Sequence, residues 1–217
     1  MKQLSLQYII RESNTISEKT SLLILLHGYG SNEEDLFSFA TELPEDLIIV
    51  SARAPQSLGF GSYAWYSINF TADQGKFSDI PEAIEARELV ATFIDEIQEQ
   101  YNITPAKTFL LGFSQGTILS YAVALNYPEK VQKVIALSGH INGELLPTDL
   151  NADTYKNLDF FISHGSVDQV IPVEWANKAP EFLNKLNIKN SFQAYPVGHG
   201  VAPKNFYDFK NWIVERM

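Results

Sequence analysis

Residues 107–127 decide the fold of this chain and read Lys-Thr-Phe-Leu-Leu-Gly-Phe-Ser-Gln-Gly-Thr-Ile-Leu-Ser-Tyr-Ala-Val-Ala-Leu-Asn-Tyr. An apolar run typical of a strand ends at Gly112, and a helical pattern starts around Gly116. Ser114 lies between these glycines, which allow a strand and a helix to approach a tight turn without a Cβ clash. The stretch therefore predicts a strand, a sharp turn exposing a serine hydroxyl, and a helix. The alternative is a glycine-rich turn that contains a serine by chance.

Strand and helix patterns alternate outward from this stretch. The alternation predicts an α/β fold with a mostly parallel central sheet and helices on both faces. Residues 21–26 are apolar almost throughout, as expected for a buried strand in the middle of such a sheet, whereas the first strand alternates and is expected at an antiparallel edge. The predicted strands lie near 4–11, 21–27, 47–52, 107–113, 132–138, 158–164 and 190–196, and the predicted helices near 32–42, 79–101, 114–127, 172–187 and 203–216.

Two loops downstream of Ser114 offer the partners that a serine nucleophile requires. The loop after the strand at 158–164 contains Asp168, and the loop after the last strand contains His199 between two glycines. A neutral imidazole can take the serine proton, and a carboxylate can orient that imidazole. The order serine, acid, histidine is that of the α/β-hydrolase fold. Ser114, Asp168 and His199 are therefore the predicted catalytic residues.

Other residues compete for these roles. His199 and Asp168 could be ordinary polar loop residues, since aspartate is common in turns. Asp159 is a weaker acid candidate because it begins its strand, at the wrong end of a parallel sheet, and Glu174 falls inside the following helix. His164 is expected to be a structural residue at a strand end.

The strand at 21–26 runs into His27-Gly28-Tyr29-Gly30. In α/β hydrolases this loop supplies one backbone N–H of the oxyanion hole, and the residue after the nucleophile, here Gln115, supplies the other. An ordinary glycine-rich strand exit is the alternative. A phosphate-binding loop is not favoured because no G-x-G-x-x-G or Walker pattern is present.

The quoted motifs, together with Leu-Ser-Gly at 137–139 and Val-Ile-Pro at 170–172, resemble the phospholipase/carboxylesterase family of small serine hydrolases, which includes the acyl-protein thioesterases. The resemblance runs from about residue 20 to the C-terminus. It implies that the backbones of Tyr29 and Gln115 form the oxyanion hole and that Trp65 helps to line the acyl pocket. The chain differs at Tyr29, where members often have leucine, and at 140–143, where an aromatic-Leu-Pro sequence is expected.

Residues 53–78 show no regular periodicity but are rich in aromatic side chains. A long connection inside a compact domain is usually functional, and its aromatic content argues against disorder. The segment is interpreted as a flap over an acyl-binding groove. A connection packed onto the core by its own aromatic residues is the alternative, and the two can coexist.

Composition narrows the class of protein. The 217 residues carry a formal net charge of −10, which argues against nucleic acid as a partner and against strong attraction to anionic membranes. The absence of cysteine excludes disulfides, a thiol nucleophile and cysteine-based metal sites. No signal peptide and no apolar stretch of about 18 residues is recognisable, so a cytoplasmic protein without stable membrane insertion is expected.

The sequence thus predicts one α/β-hydrolase domain over residues 1–217. The expected reaction is hydrolysis of carboxylic esters or thioesters of short-to-medium acyl chains through a covalent acyl-enzyme, without a metal or organic cofactor. The expected partner is a small-molecule ester or acylated substrate, and a homodimer stays open. A non-catalytic binding or scaffold protein on a hydrolase fold and a serine peptidase are the alternatives.

Overall fold

The computed structural model describes residues 4–14, 17, 20–71 and 75–217, with the backbone alone at 70, 71 and 75–77. Within these residues, seven strands form one sheet in the order β1-β3-β2-β8-β9-β10-β11. β1 pairs antiparallel with β3 at one edge, and the other pairs are parallel. The sheet strands are Tyr8–Arg11 (β1), Ser21–Leu26 (β2), Leu47–Ala52 (β3), Thr108–Phe113 (β8), Lys133–Leu137 (β9), Asp159–Gly165 (β10) and Lys189–Tyr195 (β11).

Helices cover both faces of this sheet. The side chains of β2 alternate between the two faces, and all of them are buried: Leu22, Ile24 and Leu26 face one core, whereas Leu23 and Leu25 face the other. The helices are Glu33–Phe37 (α1), Ile80–Tyr101 (α2), Gln115–Asn126 (α3), Val173–Ala176 (α4), Lys178–Lys185 (α5) and Pro203–Val214 (α6). The first core is closed by α2, α3 and α5, and the second by α1 and α6.

The predicted mostly parallel α/β sheet with helices on both faces is confirmed, including the antiparallel edge strand. Several element boundaries differ. β1 begins at Tyr8 rather than near residue 4, and α1 ends at Phe37 before a separate 3-10 turn at Ala40–Glu42. The helix predicted at 172–187 is divided at Asn177 into α4 and α5. Apolar periodicity continues across such a break, so the pattern alone does not reveal it.

The connection at 53–78 is more regular than its sequence indicates. Its described part contains β4 (Gln56–Gly59) paired with β5 (Ser62–Ala64), and β6 (Ile68–Thr71) paired with β7 (Gly75–Ser78). These strands span only three or four residues, and β4–β5 includes a register shift, so no two-residue period can develop. The strands predicted from the sequence therefore omit these two hairpins.

The long helix α2 is capped at its N-terminus by Asp79, and Glu82 connects the helix to another segment. The Asp79 side chain accepts a hydrogen bond from the Glu82 N–H at 3.2 Å. The Glu82 carboxylate does not return to Asp79. It accepts from Ser67 N–H at 2.7 Å and from the Gln56 side chain at 2.9 Å, and so anchors the 53–78 segment to α2.

Within the described residues, no helix is both long and apolar enough to cross a membrane.

Candidate active site

Ser114 lies on the sharp turn between β8 and α3. Its backbone has φ 53° and ψ −114°, a conformation that costs a non-glycine residue about 1–3 kcal/mol. The Ser114 N–H donates to Leu137 O at 3.0 Å and fastens the turn to β9. A Cβ added at Gly112 would collide with Gly116, and one added at Gly116 would collide with the carbonyl oxygen of Leu26. Steric closeness of strand and helix therefore requires both glycines of the motif.

The structure brings the three predicted catalytic side chains into one hydrogen-bonded chain. His199 Nε2 lies 2.9 Å from Ser114 Oγ, and His199 Nδ1 lies 2.7 Å from Asp168 Oδ2. The three residues follow β8, β10 and β11, whose carboxyl ends share one edge of the parallel sheet. The Phe113 ring packs against the imidazole with centroids 5.0 Å apart. This geometry allows proton transfer from the serine hydroxyl to a carboxylate-oriented imidazole.

Asp168 is buried, and its two oxygens have separate partners. Oδ1 accepts from the N–H groups of Val170 at 2.8 Å and Ile171 at 3.0 Å, which leaves Oδ2 for His199. Burial alone would raise the pKa of Asp168, but the hydrogen bonds from His199, Ile171 and Val170 outweigh burial and lower the pKa below its ordinary value. The carboxylate is therefore ionised at neutral pH, as an imidazole-orienting group must be.

The other candidates for acid and base do not take part in the hydrogen bonds that join Ser114, His199 and Asp168. His164 is buried, its Nε2 lies 2.8 Å from Ile171 O, and the same nitrogen lies 3.3 Å from Asp168 Oδ2. It thus supports the loop that holds the acid. Asp159 begins β10 and pairs with Lys189 and Arg216, away from Ser114.

Tyr29 and Gln115 are placed beside the nucleophile, as the resemblance implies, and both line the same cavity as Ser114 and His199. Within the described part of the chain, neither the Tyr29 N–H nor the Gln115 N–H donates a hydrogen bond to a protein acceptor. Gln115 is the first residue of α3, so its N–H has no partner inside the helix. Both groups are therefore available to an oxygen atom of a bound ligand.

His27 is a structural residue of this site that the sequence analysis did not single out. It is fully buried, its Nδ1 lies 2.8 Å from Gly28 O, and its Nε2 accepts from Ala54 N–H at 3.1 Å. Burial is the main cause that lowers the pKa of His27, so the ring stays neutral and joins the Tyr29 loop to the end of β3. The signal in the sequence was a histidine directly after an almost entirely apolar strand.

The position of Trp65 differs from the one that the resemblance implies. The resemblance implies that it lines the acyl pocket, but the side chain is only 1% exposed and does not border the cavity beside Ser114. Its indole N–H donates to His27 O at 2.9 Å, and its backbone N–H donates to Gln115 Oε1 at 2.9 Å. The indole is held inward by a polar partner, so it lies beneath the Tyr29 loop and not in the cavity wall.

The cavity beside Ser114 has a volume of about 780 Å³. Ser114, Gln115, Tyr29 and His199 open onto it. Its wall also contains the apolar or aromatic side chains of Tyr66, Ile68, Ile118, Ile141, Ile171 and Trp175. A concave cavity that combines apolar side chains with converging polar groups is typical of a small-molecule site.

His140 is a polar member of this wall. Its ring contacts Trp175 edge-on with centroids 5.1 Å apart, and within the described residues its buried Nδ1 atom has no hydrogen-bond partner. Burial, with smaller contributions from His164 and Lys178, lowers the pKa of His140 from 6.5 to about 4. The side chain is therefore neutral at physiological pH.

This pKa predicts that acid destabilises the protein partly through His140. Between pH 6.5 and about 4 the His140 side chain is protonated in the unfolded chain but neutral in the folded chain. The free energy of unfolding therefore falls as the pH falls through that window. In His140→Gln this part of the slope should disappear. Urea unfolding at pH 7, 6, 5 and 4 measures it. An unchanged slope in the variant would contradict the assignment, since the buried His27 acts in the same direction in both proteins.

The chain is similar to known proteins over nearly its whole length. The family model described as Phospholipase/Carboxylesterase matches residues 10–216. Acyl-protein thioesterase 1 of Candida albicans is 27% identical over 213 residues, covering 91% of this chain and 92% of that protein. A probable carboxylesterase of Oryza sativa subsp. japonica is 26% identical over 204 residues, covering 89% and 76%.

Solved structures share the fold. The crystal structure of esterase PE8 superposes with a TM-score of 0.82 at 24% identity, covering 98% of this chain and 99% of that one. The carboxylesterase of Bacillus cereus gives a TM-score of 0.80 at 18% identity, covering 98% and 95%. Because the family model matches residues 10–216, nearly the whole of this chain, the chain belongs to the phospholipase/carboxylesterase family.

Proposed function

We propose that this protein is a serine hydrolase that cleaves carboxylic esters or thioesters of short-to-medium acyl chains. The observation that carries the proposal is the continuous hydrogen-bonded chain from Asp168 through His199 to Ser114, which ends at the open cavity. The names of the relatives, carboxylesterase and acyl-protein thioesterase, support the same reaction class.

In the proposed reaction Ser114 Oγ attacks the carbonyl carbon while His199 Nε2 takes the hydroxyl proton. The tetrahedral intermediate places its negative oxygen between the N–H groups of Tyr29 and Gln115. The imidazolium, stabilised by Asp168, returns the proton to the leaving alcohol or thiol as the carbon–oxygen or carbon–sulfur bond breaks. A water molecule, deprotonated by the same imidazole, then releases the acid and restores the serine. The chain supplies nucleophile, base and oxyanion donors, so these steps need no cofactor.

The ester and thioester alternatives differ only in the leaving group, and the proposed site accepts both. The apolar part of the cavity wall is the proposed acyl site, because methylene groups gain about 0.8 kcal/mol each on leaving water. The volume of about 780 Å³ lies within the range of small-molecule sites.

A fluorophosphonate probe tests the proposed function directly, because such a probe forms an adduct only with an activated serine. We expect labelling of the wild-type protein at Ser114, located by peptide mass spectrometry. In a p-nitrophenyl ester series from acetate to palmitate, run beside acyl thioesters, we expect turnover to be highest for short and medium chains. A folded protein that neither reacts with the probe nor hydrolyses any substrate would favour a scaffold on a hydrolase fold. Cleavage of peptides but not of esters would favour a peptidase.

Ile141→Trp should shift the acyl-chain preference towards short chains. Ile141 lies in the cavity wall on the loop after β9, and an indole there would occupy space used by the distal methylenes. We expect the ratio of kcat/KM for octanoate to that for acetate to fall by at least about tenfold, roughly the value of two methylenes. Acetate turnover should change little.

The matched control is Ile84→Trp, at an isoleucine of α2 that is 37% exposed and does not border the cavity. This control should keep the wild-type ratio across the ester series. An Ile141 variant that loses activity equally for every chain length would show that the acyl group lies elsewhere.

A further inference from the structure

Both predicted oxyanion donors are tied to one buried residue of the 53–78 segment. The Trp65 backbone N–H donates to Gln115 Oε1 at 2.9 Å, and Gln115 Nε2 donates to Tyr66 O at 2.8 Å. Both the oxygen and the nitrogen of the Gln115 side-chain amide are thereby bound to the backbone of residues 65–66. These bonds join positions about fifty residues apart in the chain and fix the start of α3, where the Gln115 N–H emerges.

The other donor is reached through the indole ring. Trp65 Nε1–H donates to His27 O at 2.9 Å, two residues before Tyr29, and the Trp65 and His27 rings pack with centroids 5.5 Å apart. His27 in turn is bound to Gly28 O and to the Ala54 N–H. One tryptophan therefore contacts the carbonyl at the entrance to the Tyr29 loop and the side chain of Gln115, whose backbone N–H is the second donor.

Hairpin β4–β5, which precedes Trp65 in the chain, is joined to the far side of the Tyr29 loop. Gly30 N–H donates to Tyr63 O at 2.8 Å, and Tyr63 N–H donates to Ser31 O at 2.8 Å. The Asn32 side chain donates to Gly61 O at 3.0 Å. The loop between His27 and Asn32 is thus fixed on both sides of Tyr29 by hairpin β4–β5 and its continuation to Trp65.

We infer that Trp65 is a positioning residue for the oxyanion hole: through its indole N–H to His27 O and its backbone N–H to Gln115, it sets the positions of the two donors together. The inference rests on the proposed hydrolase function. Oxyanion stabilisation depends on donors that are already placed before charge develops, and loss of one donor typically costs about 10²–10³ in kcat. A donor displaced by loss of its support should lose part of that factor, for every acyl chain alike.

Trp65→Phe tests the inference because it keeps a buried aromatic ring but removes the indole N–H. We expect kcat/KM to fall about 10- to 100-fold for acetate, butyrate and octanoate esters equally, with KM changed less than threefold. A trifluoromethyl ketone, whose serine adduct carries an oxyanion, should bind more weakly by a similar factor. A purely structural defect would not weaken the ketone more than it weakens ground-state binding.

Trp212→Phe is the matched control. Trp212 is a buried tryptophan of α6 in the second core, and its indole N–H has no hydrogen-bond partner among the described residues. The control should show a comparable change in melting temperature with near wild-type kcat/KM and ketone affinity. Gln115→Met, which keeps the backbone N–H but removes both side-chain hydrogen bonds, gives a second route to the same defect if Trp65→Phe folds poorly.

The double variant Trp65→Phe/Gln115→Met should lose less activity than the product of the two single losses. The hydrogen bonds that the two substitutions remove meet at residue 65, so the first substitution already disturbs the contact that the second one removes. A Trp65→Phe enzyme with wild-type kcat/KM, a loss confined to long chains, or an unchanged ketone affinity would overturn the inference while the hydrolase function stands. A wild-type protein that neither hydrolyses esters nor binds the ketone would overturn the proposed function, and the inference with it.

Discussion

Ser114→Ala should reduce ester hydrolysis by about 10⁴-fold or more and leave the fold intact. The hydroxyl contributes one hydrogen bond to His199 Nε2, whereas the strained turn is held by backbone contacts such as Ser114 N–H to Leu137 O. Removing Oγ thus deletes the proposed nucleophile without removing the supports of the turn. Steady-state kinetics on p-nitrophenyl butyrate, with circular dichroism and thermal melting, measure both effects.

Ser120→Ala is the control for this prediction. Ser120 lies on α3, which begins directly after Ser114; it is buried, and its hydroxyl donates to Gly116 O at 2.8 Å. It should retain activity within a few-fold and should still react with the fluorophosphonate probe. A folded Ser114→Ala protein that kept a tenth of the wild-type rate would show that another group is the nucleophile.

His199→Ala should be as damaging as Ser114→Ala, because the serine hydroxyl is too weak an acid to attack without a base. The double variant should cost little more than either single one, since the catalytic residues act as a unit. The same kinetic assay measures this, provided that enough enzyme is used to detect a residual rate. Additive losses in the double variant would contradict the proposed pairing.

His164→Ala separates the two histidines. Its Nε2 contacts Ile171 O and lies near Asp168, but the structure places it behind the acid and not beside Ser114. The variant should therefore lower the melting temperature clearly and the activity only modestly, through the acid loop. A larger loss of activity in His164→Ala than in His199→Ala would reverse the assignment of the base.

Local features of the chain were sufficient to predict the sheet and the nucleophile turn. Close approach of a strand and a helix leaves no room for a Cβ at positions 112 and 116. The five residues from Gly112 to Gly116 are therefore enough to predict the turn. A strand buried on both faces is apolar at nearly every position, which makes β2 recognisable. Asp168 and His199 could be chosen because carboxyl ends of parallel strands share one edge, so loops distant in sequence were expected to converge there.

Other features depended on contacts that no local pattern contains. The Trp65 indole N–H is bound by His27 and its backbone N–H by Gln115, which lie 38 and 50 positions away. An aromatic residue expected in the cavity wall is therefore buried beneath the Tyr29 loop. Hairpins β4–β5 and β6–β7 are too short to show a period, and their places depend on Ser31, Glu82 and the Tyr29 loop.

The division between the two kinds of feature has a physical basis. Apolar periodicity, chain order and steric limits on a tight turn act within a few residues, so the amino-acid sequence alone predicts the α/β sheet and the candidate residues Ser114, Asp168 and His199. Hydrogen bonds between buried polar groups act between elements and depend on distance and angle. Only the folded chain therefore decides that Oδ2 of Asp168 faces His199, that the Tyr29 and Gln115 N–H groups are left unpaired within the described residues, and that Trp65 lies beneath them.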